Sequence, residues 1–250
     1  MDGEEESGWS AVAAEWSELW AASAGPAHNV LIAASGITAG SRVLDVGCGS
    51  GEFLRAVERV GADGAGVDPA RGMVELARRT SPRSDIRVGS DENLPWADGS
   101  FDVVTAINAL QFADDTLAAL AEFSRVAVPG GLVAVANWAE ASRNDLDAVE
   151  AAIAAADGDE PGADGDLRVA GGLEGVLAEA GLTVVDSGLV EVPWDVPDDR
   201  TLVRGVLLGE DSTVVRDLAT VVLAAARPFR VGGGYRLVNT FRFAVARTPA

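Results

Sequence analysis

The chain has 250 residues, 48% of them hydrophobic and 23% charged, which is ordinary globular chemistry with length enough for one sizeable core. Its formal net charge of −20 and pI near 4.3 repel phosphate backbones and anionic headgroups, and its arginines form no basic stripe, so nucleic-acid and membrane-surface partners are disfavoured. All nineteen basic residues are arginine, which excludes a Schiff-base or P-loop lysine, and Cys48 as the lone cysteine rules out an internal disulfide and leaves no metal site expected.

In chain order, residues 11–22 place Val12, Trp16, Leu19 and Trp20 at helical spacing after Ser10 as a cap, and a second short helix covers 28–35 before Gly36. The texture then changes. Residues 42–46 are a short apolar run met at once by glycines, the pattern of a buried parallel strand. A helix at 52–60, a strand at 65–67, a helix at 70–79 and strands at 86–88 and 101–107 follow. A helix at 117–128 closes at the turn Pro129-Gly130-Gly131, and the next strand is 132–138. Strands alternating with helices at this interval predict βαβ units and a parallel sheet.

Beyond Trp138 the rhythm loosens. An alanine-rich helix at 145–156 precedes an acidic, glycine-rich stretch at 157–166 that reads as a mobile loop. A helix at 173–180 and a strand at 182–192 follow. Two helices near 200–208 and 212–226 then lead to a final strand at 235–247, where Phe241, Phe243 and Val245 alternate. No internal repeat or linker is visible, so a single domain is expected. The acidic start MDGEEESGWS lacks a positive region followed by an apolar stretch, and no apolar run reaches spanning length, so the expected address is cytoplasmic.

The most informative segment is Val43-Leu44-Asp45-Val46-Gly47-Cys48-Gly49-Ser50-Gly51-Glu52, where a strand ends, glycines turn the chain and a helix begins. Glycine removes the Cβ and tolerates positive φ, so a ligand can lie against bare backbone. A dinucleotide fingerprint wants a glycine where Glu52 stands, and a carboxylate at the helix N-terminus repels a pyrophosphate. A cation carrying an amino acid and a sulfonium gains instead from Asp45 and Glu52. Asp68 follows the second strand, about 20 residues beyond the loop, at the spacing of an acid that grips ribose hydroxyls.

These residues resemble the first motif, Asp-x-Gly-x-Gly-x-Gly, of the class I S-adenosylmethionine-dependent methyltransferases, met here by Asp45, Gly47, Gly49 and Gly51. The resemblance runs from about residue 9 to 138. It implies an α/β, Rossmann-like, doubly wound sheet of seven strands, mostly parallel with an antiparallel last strand. It also implies a helical N-terminal cap (1–36), a cofactor-binding core (37–138), lid insertions (139–168 and 193–230) and completion of the sheet (169–192 and 231–248). The loop, with Cys48, would embrace the methionine part of S-adenosyl-L-methionine, and Asp68 its ribose, with Pro69 and Met73 lining the adenosine pocket.

In Gly89-Ser90-Asp91-Glu92-Asn93-Leu94-Pro95, relatives often carry Asp where Ser90 stands, so the adenine contact falls to Ser90 or Asp91, with Glu92 beside them. Asn108 or Ala109 would offer main-chain contacts to the methionine amino group. Gln111 would face the acceptor where relatives commonly show His.

Methyl transfer chiefly needs a nucleophile held at near-attack distance with water excluded. His28, the only histidine, is the candidate base. Trp16, Trp20, Trp138 and Trp194 are candidate walls for a flat acceptor, each equally readable as core. The expected activity is methylation of a small organic acceptor at O, N or C, leaving S-adenosyl-L-homocysteine, by a monomer or homodimer. The alternatives are a cyclase or rearrangement catalyst that keeps the sulfonium intact, and an NAD-dependent oxidoreductase.

Overall fold

The computed structural model describes residues 3–250, with side chains from Gly8 onward. Nine helices and eight strands alternate among the described residues. The parallel set is β1 (Arg42–Val46), β2 (Asp63–Asp68), β3 (Asp85–Val88), β4 (Phe101–Ile107) and β5 (Ala127–Trp138). Two long strands complete the sheet, β6 (Thr183–Val196) and β8 (Gly234–Arg247), and the two-residue β7 (Arg230–Val231) pairs only with β8. The order is β3-β2-β1-β4-β5-β8-β6, with β8 antiparallel to both neighbours.

The short central strands bury apolar side chains on both faces because both faces of the sheet are covered. Leu44, Val104, Val133 and Val135 point to the side of α5 (Thr116–Val126) and α7 (Gly172–Glu179), where Leu120, Phe123, Leu173 and Leu177 are fully buried. Their neighbours Val43, Val103 and Ala134 point the other way, onto Leu31 of α2 (Gly25–Ala34) and Phe53 and Val57 of α3 (Glu52–Arg59). A strand's period of two produces this division. Asp115 starts α5 by accepting the N–H groups of Leu117 and Ala118 at 2.9 and 3.0 Å.

A third apolar cluster joins α6 (Asp145–Asp157), α8 (Asp199–Val206) and α9 (Ser212–Ala225) to β6 and β8 through Trp194, Leu202, Val222 and Leu237. These helices are the ones read from sequence after Trp138.

The expected seven strands are present, and β7 adds an eighth as a hairpin onto β8. Other differences have local causes. Helix α1 (Gly3–Leu19) runs through Ser10 rather than starting there. The Ser10 hydroxyl instead accepts the N–H of Gly72 at 3.3 Å, where α1 crosses α4 (Arg71–Thr80). The Pro129-Gly130-Gly131 turn is absorbed into β5 as an irregularity in its register with β4. Strand β6 continues through Pro193 to Val196, which proline tolerates because β6 lies at the sheet edge. The acidic stretch before α7 forms no helix or strand, but Asp164 ties it down by accepting the N–H of Ala141 at 2.9 Å and pairing with Arg168 at 3.3 Å.

Candidate functional site

The carboxyl ends of β1, β2 and β4 meet the N-terminal ends of the helices that follow, the edge at which open α/β sheets bind ligands. The loop after β1 holds Gly47, Gly49 and Gly51 at φ of +70°, +50° and +91°. Val67 pins it by accepting the N–H groups of Gly47 and Cys48 at 2.9 and 3.0 Å. A Cβ on Gly47 would collide with that of Ala109, so only glycine lets the loop lie against the end of β4.

Asp68 ends β2 and bridges two turns. Its Oδ2 accepts the Gly49 N–H and its Oδ1 the Ala70 N–H, both at 2.9 Å. A carboxylate oxygen has two acceptor sites, so one on each oxygen remains for a ligand. Asp45 is buried in β1 and accepts the Thr105 hydroxyl at 2.8 Å, and Glu52 accepts that of Ser50 at 2.8 Å.

These three carboxylates line one cavity of about 380 Å³. Burial pushes Asp45 up to about 7, with the charges of Asp68 and Glu52 adding to it. Burial likewise raises Asp68 to about 6, against the pull of its two N–H donors, and raises Glu52. Among the described residues no arginine lines this cavity, although Arg55 outside the lining pulls the Glu52 carboxyl down slightly. A cation placed there would return all three groups to their ionised form.

Most residues expected at the site from sequence converge on it. Gly47, Cys48, Gly49, Pro69, Met73 and Asn108 line the cavity beside the carboxylates, and so do His28, Trp16, Trp20 and Trp138. A contiguous hollow of about 230 Å³ shares Gly47 and Pro69 and adds Ser90, Asp91 and Ala109. Burial raises the Asp91 carboxyl as well. Cys48 is buried in the loop, and burial raises its thiol well above the usual range.

Four expected residues lie elsewhere. Gly51 caps α3, and a Cβ there would sit 2.9 Å from Ala77 Cα, so its role is helix-to-helix packing. Glu92 turns outward to accept the Asp115 N–H at 2.7 Å. Gln111 is exposed and faces Asn108, donating to its Oδ1 at 3.0 Å, while Asn137 donates to Gln111 Oε1 at 2.6 Å. Trp194 is core, stacked on Trp20 with centroids 3.9 Å apart and donating to the Leu19 carbonyl at 2.8 Å.

The Gln111 network holds Asn108 at φ +52°, an uncommon conformation for a residue with a side chain. Phe53, Leu146, Gly205, Leu208 and Phe241 also wall the cavity and escaped the sequence reading. Phe53 lies two residues after Gly51 of the glycine motif and Phe241 alternates inward in the last strand, so both left a signal. Leu146, Gly205 and Leu208 sit in the helical insertions and left none.

Residues 44–135 match the family model described as a methyltransferase domain. The match covers residues 44–135 alone, less than half of the chain, and the strand order and the loop geometry are consistent with it. Among individual proteins, the chain is similar to malonyl-(acyl-carrier protein) O-methyltransferase of Yersinia pestis, 38% identical over 42% of this chain and 39% of that protein. It is also similar to demethylmenaquinone methyltransferase of Renibacterium salmoninarum, 36% identical over 44% and 47%. The similarity thus spans less than half the length of these curated relatives. A crystal structure of a methyltransferase-like protein from Bacillus halodurans shares the fold, with a TM-score of 0.63 at 16% identity over 89% of this chain and 99% of that one.

Proposed function

We propose that the chain transfers the methyl group of S-adenosyl-L-methionine to a small organic acceptor. The observation that carries this reading is the trio Asp45, Glu52 and Asp68 around a bare glycine loop, in a cavity lined by no arginine among the described residues. A sulfonium and an ammonium suit that field, whereas the pyrophosphate of a dinucleotide would be repelled by it.

When bound, the cofactor supplies a methyl carbon made electrophilic by positive sulfur. The chain's residues do the rest. Asp68 has free acceptor sites for two ribose hydroxyls, and Pro69, Met73 and the hollow at Ser90 and Asp91 offer an adenosine pocket. Asp45, Glu52 and the main chain at Asn108 and Ala109 would hold the amino acid end. His28 and the aromatic walls would position the acceptor and exclude water.

The insertions at 139–168 and 193–230 would act as a lid, a role supported by Leu146, Gly205 and Leu208 reaching the cavity. The same reading makes the protein a cytoplasmic monomer or homodimer of one domain, with no nucleic-acid or membrane partner. Among the described residues no helix is long and apolar enough to cross a membrane.

The test is to incubate the protein with S-adenosyl-L-methionine and a panel of hydroxy- and amino-acceptors, following both products by mass spectrometry. Acceptor-dependent S-adenosyl-L-homocysteine with an acceptor one methylene heavier supports the reading. Conversion of an acceptor with the cofactor left intact would replace transfer by cyclisation or rearrangement.

A further inference from the structure

Part of the wall of the same cavity has a different chemistry. Trp138 and Phe241 meet there edge to face, with centroids 5.0 Å apart at 67°. The Trp20 indole N–H is already donated to the Gly205 carbonyl at 3.1 Å, so its ring offers carbon surface. Leu146, Leu208 and Phe53 extend that apolar lining.

Of the polar side chains beside it, Ser23 already donates its hydroxyl to the Trp20 carbonyl at 2.7 Å, and His28 remains. His28 is 8% exposed and sits edge to face with Phe53 at 5.5 Å. No hydrogen bond to its ring nitrogens is present among the described residues, and burial pulls its pKa down to about 4, which leaves the imidazole neutral with a free lone pair.

We infer, on the basis of the methyl-transfer reading above, that the acceptor is a flat, uncharged aromatic alcohol. Its ring lies among Trp20, Trp138 and Phe241 and its hydroxyl donates to His28. Two observations separate this class from the alternatives. A carboxylate acceptor would enter a cavity that already holds three carboxylates, two of them buried, and is lined by no arginine among the described residues. An aromatic ring matches edge and face contacts that the three walls offer together.

The bond changes balance. The acceptor oxygen forms a bond to the methyl carbon as the methyl–sulfur bond breaks, the electron pair of that bond going to sulfur. The oxygen thereby becomes strongly acidic, so its proton passes to His28 even though burial makes the imidazole a weak base. Water removes the proton when the product leaves.

The experiment uses three probes of one ring system in calorimetry, 2-naphthol, naphthalene and 2-naphthoate, on protein saturated with S-adenosyl-L-homocysteine near neutral pH. Binding of S-adenosyl-L-homocysteine is measured first, and where it is absent the probes are titrated into the free protein. The expected order is 2-naphthol first, with 2-naphthoate at least about tenfold weaker. His28→Phe should weaken 2-naphthol about tenfold and leave naphthalene unchanged, since it keeps the ring volume and removes the lone pair.

Binding of 2-naphthoate equal to or tighter than 2-naphthol, or failure of every probe to bind, overturns the acceptor class. An equal loss of naphthalene and 2-naphthol affinity in His28→Phe overturns the role of His28. Each of these outcomes leaves the transfer reading intact where S-adenosyl-L-homocysteine binds. Absent binding of that compound strikes the transfer reading instead.

Discussion

Gly49 donates its main-chain N–H to Asp68 Oδ2 at 2.9 Å, so the glycine loop after β1 and the acid ending β2 form one unit. Asp68 therefore shapes the loop as well as facing the cavity. Asp68→Asn places an amide NH₂ against one of two main-chain donors. It should cost about 1–3 kcal/mol in urea unfolding, and S-adenosyl-L-homocysteine affinity should fall about 10- to 100-fold. Wild-type affinity in a destabilised Asp68→Asn would assign the residue to the loop alone.

The buried carboxylates give stability a pH dependence. Asp45 is raised from 3.8 to about 7 and Asp68 from 3.8 to about 6, so both hold a proton longer in the folded chain than in the unfolded one. The stability they contribute is present below the unfolded value and lost as pH rises through the folded value. His28 acts oppositely, because its fall from 6.5 to about 4 adds stability as pH climbs across that interval. From about pH 6.5 to 7.5 the Asp45 effect dominates. The melting temperature of ligand-free protein should fall over that window, and Asp45→Asn should flatten the fall and melt higher near pH 8. Superimposable curves for the two proteins would contradict this.

Gly51 separates packing from binding. An alanine there meets Ala77 at 2.9 Å and must hold φ at +91°. Gly51→Ala should lose about 1–3 kcal/mol in chemical unfolding. The folded fraction should still bind S-adenosyl-L-homocysteine with affinity close to wild type, as titration of the purified variant would reveal.

Arg204 of α8 clamps α1 through Glu15 at 2.8 Å and Glu18 at 3.1 Å. The Arg204 side chain is half-buried but its Glu15 and Glu18 partners are more exposed, so Arg204→Ala should leave the global unfolding midpoint nearly unchanged. Local opening should increase instead, seen as faster amide hydrogen exchange at residues 8–20 and 199–209. Unchanged exchange in both segments would show that the packing of α1 and α8 holds them without the clamp.

Legibility in the sequence followed locality. The run Val43 to Glu52 encodes strand, turn and helix within ten residues, because parallel-strand burial and positive φ both leave direct compositional marks. Asp68 was legible by its spacing. Ser10 and Gln111 were not, because their partners Gly72 and Asn137 are distant in sequence and only the fold brings them together. Strand β7 is two residues long, too short for any periodicity. The helical insertions could be placed, but which of their side chains reach the cavity depends on how α6 and α8 dock against β8 and α1.

On the proposed function, the cavity at Asp45, Glu52 and Asp68 receives a sulfonium nucleoside rather than a dinucleotide. Calorimetric titration of the purified chain with S-adenosyl-L-methionine, S-adenosyl-L-homocysteine and NADH tests it directly. The expected result is one site for each of the first two, with a dissociation constant of roughly micromolar order, and no heat from NADH. Silence from both sulfur compounds, or tighter binding of NADH, would contradict it.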